Sequence, residues 1–184
     1  SNPVDNIVGT LILLEHENTY TLGTGTREGS GPFLPTSSEL PYETFNVERA
    51  GEATYHGPGQ LVVYPILDLN YFEKAINLYL RNLEQVTINS LHSIGIEGET
   101  RVDGHTGVWV SGKNWVANKK VAALGIKLRR WVTMHGMSIN VCPDMRYFQN
   151  IVPCGIRDKE VCSIANFDLP SQISVKDFSQ SVLT

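Results

Sequence analysis

Pro153-Cys154-Gly155 sets a thiol between a residue that stiffens the chain and one that frees it, a tripeptide suited to a sharp turn that pushes its central side chain outward. A free thiol with its ordinary pKa of about 8.5 is only a few per cent ionised at neutral pH, too little for an efficient nucleophile. A lysine ammonium about 4 Å away, at an effective dielectric near 20, supplies up to about 4 kcal/mol, roughly three pKa units before desolvation is subtracted. With such a neighbour Cys154 is a nucleophile; without one it is a buried structural cysteine. Lys120, directly before the apolar run 121–126, either marks the solvent end of a strand or points across a sheet into a site. In residues 55–60, Tyr-His-Gly-Pro-Gly-Gln, Pro58 fixes φ and Gly59 admits φ > 0, which predicts a type II turn holding His56 at a strand end. The alternative is a plain turn with a surface histidine. His135, beside Gly136, is either a further site residue or a capped polar group.

Other reactive side chains have weaker claims. Cys142 and Cys162 sit among apolar residues and are expected to pack, and Trp109, Trp115 and Trp131 lie in β-rich segments where a core role is expected. Three cysteines without a C-x-x-C pair argue against a disulfide scaffold or zinc ribbon, and His16, His56, His92, His105 and His135 show no metal-binding spacing. Gly23, Gly25 and Gly29 do not match a phosphate-binding loop.

Two short strands are expected in residues 7–14 and 19–22, followed by a glycine- and proline-bearing loop over 24–40. Strands are expected again at 44–47 and 61–67, with 48–60 as a loop at a sheet edge. Apolar residues Ile76, Tyr79, Leu80, Leu83, Val86 and Ile94 recur three or four apart, predicting a helix from Phe72 onward that Gly95 closes. β-rich segments follow at 107–110, 121–128 and 137–141, with a turn at 111–114, and a second helix begins near Ile173. Strands dominate without strict βα alternation, so the expected class is α+β (mixed α/β), a mixed sheet flanked by helices.

At 184 residues one domain is expected, residues 1–184. The composition, 41% hydrophobic and 18% charged with 16 Gly and 9 Pro, is that of a folded globule. A net charge of −4 offers no basic field for nucleic acid. The apolar runs, residues 11–14 among them, fall far short of the roughly 20 residues of a membrane span, so a soluble protein without membrane partners is expected.

The motifs LILLEH and YTLG (11–23), ATYHGPGQLVVYPILDL (53–69), GVWV (107–110), KVAALGIK (120–127), MHGMSINV (134–141) and IVPCG (151–155) occur in the order found in one family. The chain resembles the lipoyl(octanoyl) transferases of lipoate biosynthesis over residues 7–164, with wording closest to cyanobacterial and plastid members. The resemblance implies the fold of the biotin and lipoate protein ligase catalytic domains. It implies transfer of an octanoyl group from acyl carrier protein through a cysteine thioester to a lysine of lipoyl domains, those of 2-oxoacid dehydrogenase complexes and the glycine cleavage H protein. No metal or other cofactor is implied. It assigns Cys154 as the acyl acceptor and Lys120 as the residue that activates it. Arg49, Gly51, Thr54, Tyr55 and His56 fall in the substrate-binding loop, with Tyr64 close by; Ala123, Leu124 and Gly125 and then Gly136, Met137 and Ser138 line the acyl site, with His135 a site histidine. The implied location is cytoplasmic in a bacterium, and plastid or mitochondrial matrix in a eukaryote.

The chain departs from that pattern at three places. Ala50 stands where the family has a residue of Gly-Gly, adding a methyl where the backbone nears substrate. The link over 111–119 is longer than usual and makes Lys119 a rival for the catalytic amine. Both ends look trimmed relative to the family. Two other readings compete: an ATP-dependent lipoate-protein ligase of the same fold, and a non-catalytic module that binds acyl carrier or lipoyl domains.

Overall fold

The computed structural model describes residues 8–26, 40–100, 106–113, 115–151 and 160–184. Cys154 with Pro153 and Gly155, His105, Asn114 and most of the loop expected over 24–40 lie outside the described residues.

The chain runs β1 (Gly9–Leu14), β2 (Thr19–Leu22), β3 (Thr44–Asn46), β4 (Ala53–His56), β5 (Gln60–Leu67), α1 (Ile76–His92), β6 (Gly98–Thr100), β7 (Val108–Val110), β8 (Lys119–Arg129), β9 (Val132–Asn140) and α2 (Val175–Leu183). Six strands form a large sheet in the order β1-β5-β9-β8-β7-β6, and three form a small one in the order β3-β2-β4. The expected α+β class holds. Every pairing in the large sheet is antiparallel; parallel pairing occurs between β2 and β3 and at the isolated bridge from Lys120 to Val161. The first two strands form as expected but do not pair with each other, because β1 joins β5 while β2 joins β3 and β4.

The segment 48–60, expected as a loop, contains β4. Its four residues are too few to show a period between glycines, and its stability comes from lying antiparallel to β2, with Tyr20 opposite Tyr55 and Thr21 opposite Thr54. The type II turn that follows is as expected: Gln60 N–H donates to Gly57 O at 3.1 Å, and Gly59 has φ +88°. Gly95 closes α1 with φ +82°, and since a Cβ there would meet nothing within 4 Å, it is the backbone conformation that calls for glycine. A capping box of Ser174 and Asp177 starts α2.

One face of the large sheet, with Leu61, Val63, Ala122, Met137 and Ile139, packs on Tyr79, Leu83 and Leu91 of α1 and Val175 and Phe178 of α2. Each buried Leu, Ile, Val, Met or Phe among them contributes about 1.5–3 kcal/mol relative to exposure. A second cluster, Tyr20, Ala53, Tyr55, Phe148 and Ile151, backs the small sheet. The opposite faces of both sheets are left to line a shared space.

Candidate active site

A cavity of about 990 Å³ is lined by residues of both sheets. Antiparallel register puts Thr19 opposite His56 and Thr21 opposite Thr54, so these four share the cavity face of the small sheet. From the large sheet come Val62, Tyr64, Ala123, Gly125, Gly136 and Ser138. The segment Glu48–Glu52 ties the two together: Ala50 N–H donates to Ile126 O at 2.9 Å, Gly23 N–H donates to Glu52 O at 3.2 Å, and Glu48 pairs with Lys127 at 2.5 Å. This close approach needs Gly125, where a Cβ would lie 2.7 Å from Ala50 O. Gly51 has φ +88°, whereas Ala50 is not among the residues at positive φ, so its methyl is accommodated.

Lys120 is not at a strand's solvent end. It lies within β8, is 5% exposed and lines the cavity. Opposite β8 the ladder slips by one residue: Val108 faces Ala122, but Trp109 faces Lys120. Val121 and Ala122 both enter the core, and the next residue back turns to the other face, the re-aiming that bulges commonly provide beside sites. Without that slip, alternation from Ala123 would present Val121 and Lys119 to the cavity. Lys119 instead ion-pairs with Glu160 and lies 4.9 Å from the Trp115 ring centroid. Lys120 Nζ donates to Thr106 O at 3.0 Å and sits 4.8 Å over the ring of buried Trp109, so this tryptophan is both core and support for the cation.

A chain of hydrogen bonds fixes His56, which is 7% exposed. Gln60 Nε2 donates to Tyr55 O at 3.2 Å and Asn140 Oδ1 at 2.8 Å, which turns Gln60 Oε1 toward His56 Nδ1 at 2.7 Å. Nδ1 therefore carries the proton, and Nε2 accepts from Thr21 Oγ1 at 3.4 Å while Arg49 Nη2 donates to that same hydroxyl at 2.9 Å. Burial pushes the His56 pKa down to about 4 against the upward pull of the Gln60 bond, so the ring is neutral at pH 7. Burial also lowers His16 and His135, and raises Tyr64.

His135 has φ +61° in the middle of β9, a left-handed conformation that costs a non-glycine residue of order 1 kcal/mol or more. Its ring lies edge-on to Tyr64 at 6.4 Å between centroids. The neighbouring Gly136 is needed for close approach, since a Cβ there would lie 2.2 Å from Val63 O.

The structure thus gathers Lys120, Arg49, Gly51, Thr54, His56, Tyr64, Ala123, Leu124, Gly125, His135, Gly136, Met137 and Ser138 around one cavity. Tyr55 does not line it. Tyr55 pairs with Tyr20 on the far side of β4, is 1% exposed, and donates from its hydroxyl to Asn18 Oδ1 at 2.6 Å, because alternate residues of a strand face opposite ways. Cys154 lies outside the described residues; the described chain ends at Ile151 and resumes at Glu160, whose O accepts from Lys120 N–H at 2.9 Å. Cys142 and Cys162 are absent from the cavity lining, and burial raises both thiols, Cys162 to about 12. Sequence reasoning missed His16, whose Nε2 lies 2.8 Å from Tyr64 Oη, and Thr21 and Gln60, which hold Arg49 and His56. Only their places within LILLEH, YTLG and HGPGQ hinted at them. Among the described residues, no three His, Cys, Asp or Glu side chains converge as a metal site would require, and no helix is long and apolar enough to cross a membrane.

The family described as the lipoyl protein ligase A/B catalytic domain matches residues 3–184. An octanoyltransferase of Nostoc punctiforme is 52% identical over 157 residues, covering 85% of this chain and 64% of that protein. A chloroplastic octanoyltransferase of Arabidopsis thaliana is 46% identical over 154 residues, covering 84% of this chain and 52% of its own length. The chain therefore spans less than two thirds of these curated relatives. Among solved structures, a lipoate-protein ligase A bound with ATP superposes with a TM-score of 0.72 at 14% identity, covering 94% of this chain and 68% of the other; the likeness is one of fold. Motifs, fold and a match across nearly all of its residues place the chain in the lipoyl protein ligase A/B catalytic domain family.

Proposed function

We propose that the chain is the catalytic domain of an octanoyltransferase of lipoate biosynthesis, with residues 1–184 working as one unit. The octanoyl group comes from the phosphopantetheine thioester of an acyl carrier protein and goes to a lysine amine of a lipoyl domain. The observation that carries this reading is the bulge that turns Lys120 into the cavity, beneath which Thr106 O and the Trp109 ring hold its ammonium. Relatives named octanoyltransferase at 52% and 46% identity support the choice of reaction within the family. The compartment follows the source, cytoplasm in a bacterium and plastid or mitochondrial matrix in a eukaryote.

Cys154 acts as the nucleophile. Phe148 and Val161, which precede and follow it in sequence, line the cavity, and Lys120 is bonded through its backbone to Glu160, which supports that role. The Cys154 thiolate attacks the thioester carbonyl carbon, the bond to the carrier sulfur breaks, and the departing sulfur takes a proton from the Lys120 ammonium. The lipoyl-domain amine then attacks the acyl-enzyme, gives a proton to the neutral Lys120 amine and expels the Cys154 thiolate, restoring the starting pair. Arg49, Gly51, Thr54, His56, Tyr64 and His135 hold the carrier-side and carbonyl ends of the substrate, with nearby backbone N–H groups stabilising the oxyanion. The acyl tail lies along Ala123, Leu124, Gly125 and Met137.

Intact mass after incubation with octanoyl acyl carrier protein tests the reading. The expected result is one added octanoyl group, absent in Cys154→Ser. A folded, reduced protein that gains no mass overturns the transferase, and ATP-dependent activity that survives Cys154→Ser would indicate a ligase instead.

A further inference from the structure

Glu84 sits in the middle of α1 and is 0% exposed, an acidic residue on the face that packs against the sheet. Its Oε2 lies 2.5 Å from Arg81 Nη1, three residues earlier, and its Oε1 accepts the backbone N–H of Gly107 at 2.9 Å. Taking a carboxylate out of water costs several kcal/mol even when it is paired, and an apolar side chain of like size would fill the same space without that penalty. The position is therefore explained by what the carboxylate holds. Gly107 follows Thr106, whose O accepts from Lys120 Nζ at 3.0 Å. Gly107 itself has φ +138°, and a Cβ there would lie 2.8 Å from Ala122 O and 2.9 Å from Lys120 Cε. The backbone at 106–107 thus has a conformation suited to glycine, lies against the lysine stem, and is fastened from the helix side by one buried acceptor.

We propose that Glu84 is a positioning residue for Lys120, acting through the Gly107 N–H to aim Thr106 O at the lysine ammonium. It links α1 to the cavity across the core and touches no substrate. The proposal rests on Lys120 being the amine that activates Cys154.

Two variants separate this role from packing. Glu84→Met keeps side-chain length and removes the acceptor, and Glu84→Gln keeps an oxygen for Gly107. The readout is the pH dependence of Cys154 alkylation by iodoacetamide, followed at that residue by peptide mass spectrometry, together with the rate of octanoylation from acyl carrier protein. In Glu84→Met the alkylation midpoint should rise by about one pH unit and octanoylation at pH 7 should fall about 10–100-fold, as for other outer-shell supports; Glu84→Gln should restore most of both. A folded Glu84→Met with an unchanged midpoint overturns the proposal, as do equal shifts in the two variants. If Glu84→Met does not fold, hydrogen exchange on the unaltered protein decides: the Gly107 amide should be protected like core amides, and fast exchange overturns the proposal. Failure of the octanoyltransferase reading shows separately, as an unaltered protein that takes no octanoyl group while its alkylation midpoint still responds to Glu84→Met.

Discussion

Lys119 and Lys120 are neighbours in sequence with unlike surroundings, one paired with Glu160 and the other 5% exposed against Trp109 in the cavity. Lys120→Met should lower the octanoylation rate about 10²–10⁴-fold, the range of acid–base contributions, while Lys119→Met leaves it nearly unchanged; acyl-enzyme formation by mass spectrometry checks both. His56 makes the second prediction. Its pKa lies near 4 in the fold against 6.5 for a solvated histidine, so between those values the unfolded chain binds more protons and stability rises with pH. About 3 kcal/mol should be lost as pH falls from 6.5 to 4, with His16 and His135 adding in the same direction. Urea unfolding at about pH 7 and about pH 4.5 should show the loss, and His56→Gln should flatten it. At this scale the sequence was informative where a residue sits in a distinctive motif, as Lys120 and His56 do. It did not reveal that Tyr55 faces away from the cavity, because a four-residue strand between glycines does not show which of two adjacent side chains looks inward, and it offered no hint of Glu84, because a glutamate in a helical pattern reads as solvent-facing.

Among the elements, helices and long strands were legible because their apolar periods are local. The strand β4 was not, since its pairing is with β2, and a pairing that joins Thr19 to His56 across the intervening residues and β3 leaves no local trace. The glycines follow the same division: Gly59 and Gly95 are predictable from turn chemistry, whereas Gly125 and Gly136 are explained only by what crosses over them. Gly136→Ala should destabilise the protein by about 3 kcal/mol, because the obstacle is the backbone oxygen of Val63, which a rotamer change cannot move. Thermal unfolding of the variant, followed by circular dichroism, checks this; an unshifted midpoint would mean that β5 and β9 part more readily than their ladder indicates.

The molecule as a whole is two sheets, each with its own apolar backing, closing on one space. That arrangement predicts ligand-linked stability. Occupying the cavity with an octanoyl thioester at about a hundred times its Kd should add about 2.7 kcal/mol to unfolding, visible as a concentration-dependent rise in Tm, and no rise at saturating ligand would count against this cavity as the acyl site. The family was legible from ordered motifs, and with it much of the cavity lining; His16, Thr21 and Gln60 were not, because the cavity is assembled from residues as distant as His16 and Val161 and only the fold shows which side chains meet.

The one-residue slip between β7 and β8 also bears on protein engineering. Copying the stretch that holds both lysines onto a regular hairpin would reproduce every letter and still leave Lys120 facing away from the cavity. A transplant must carry the irregular step with it, so the heritable unit of this placement is a short sequence together with the defect in its ladder.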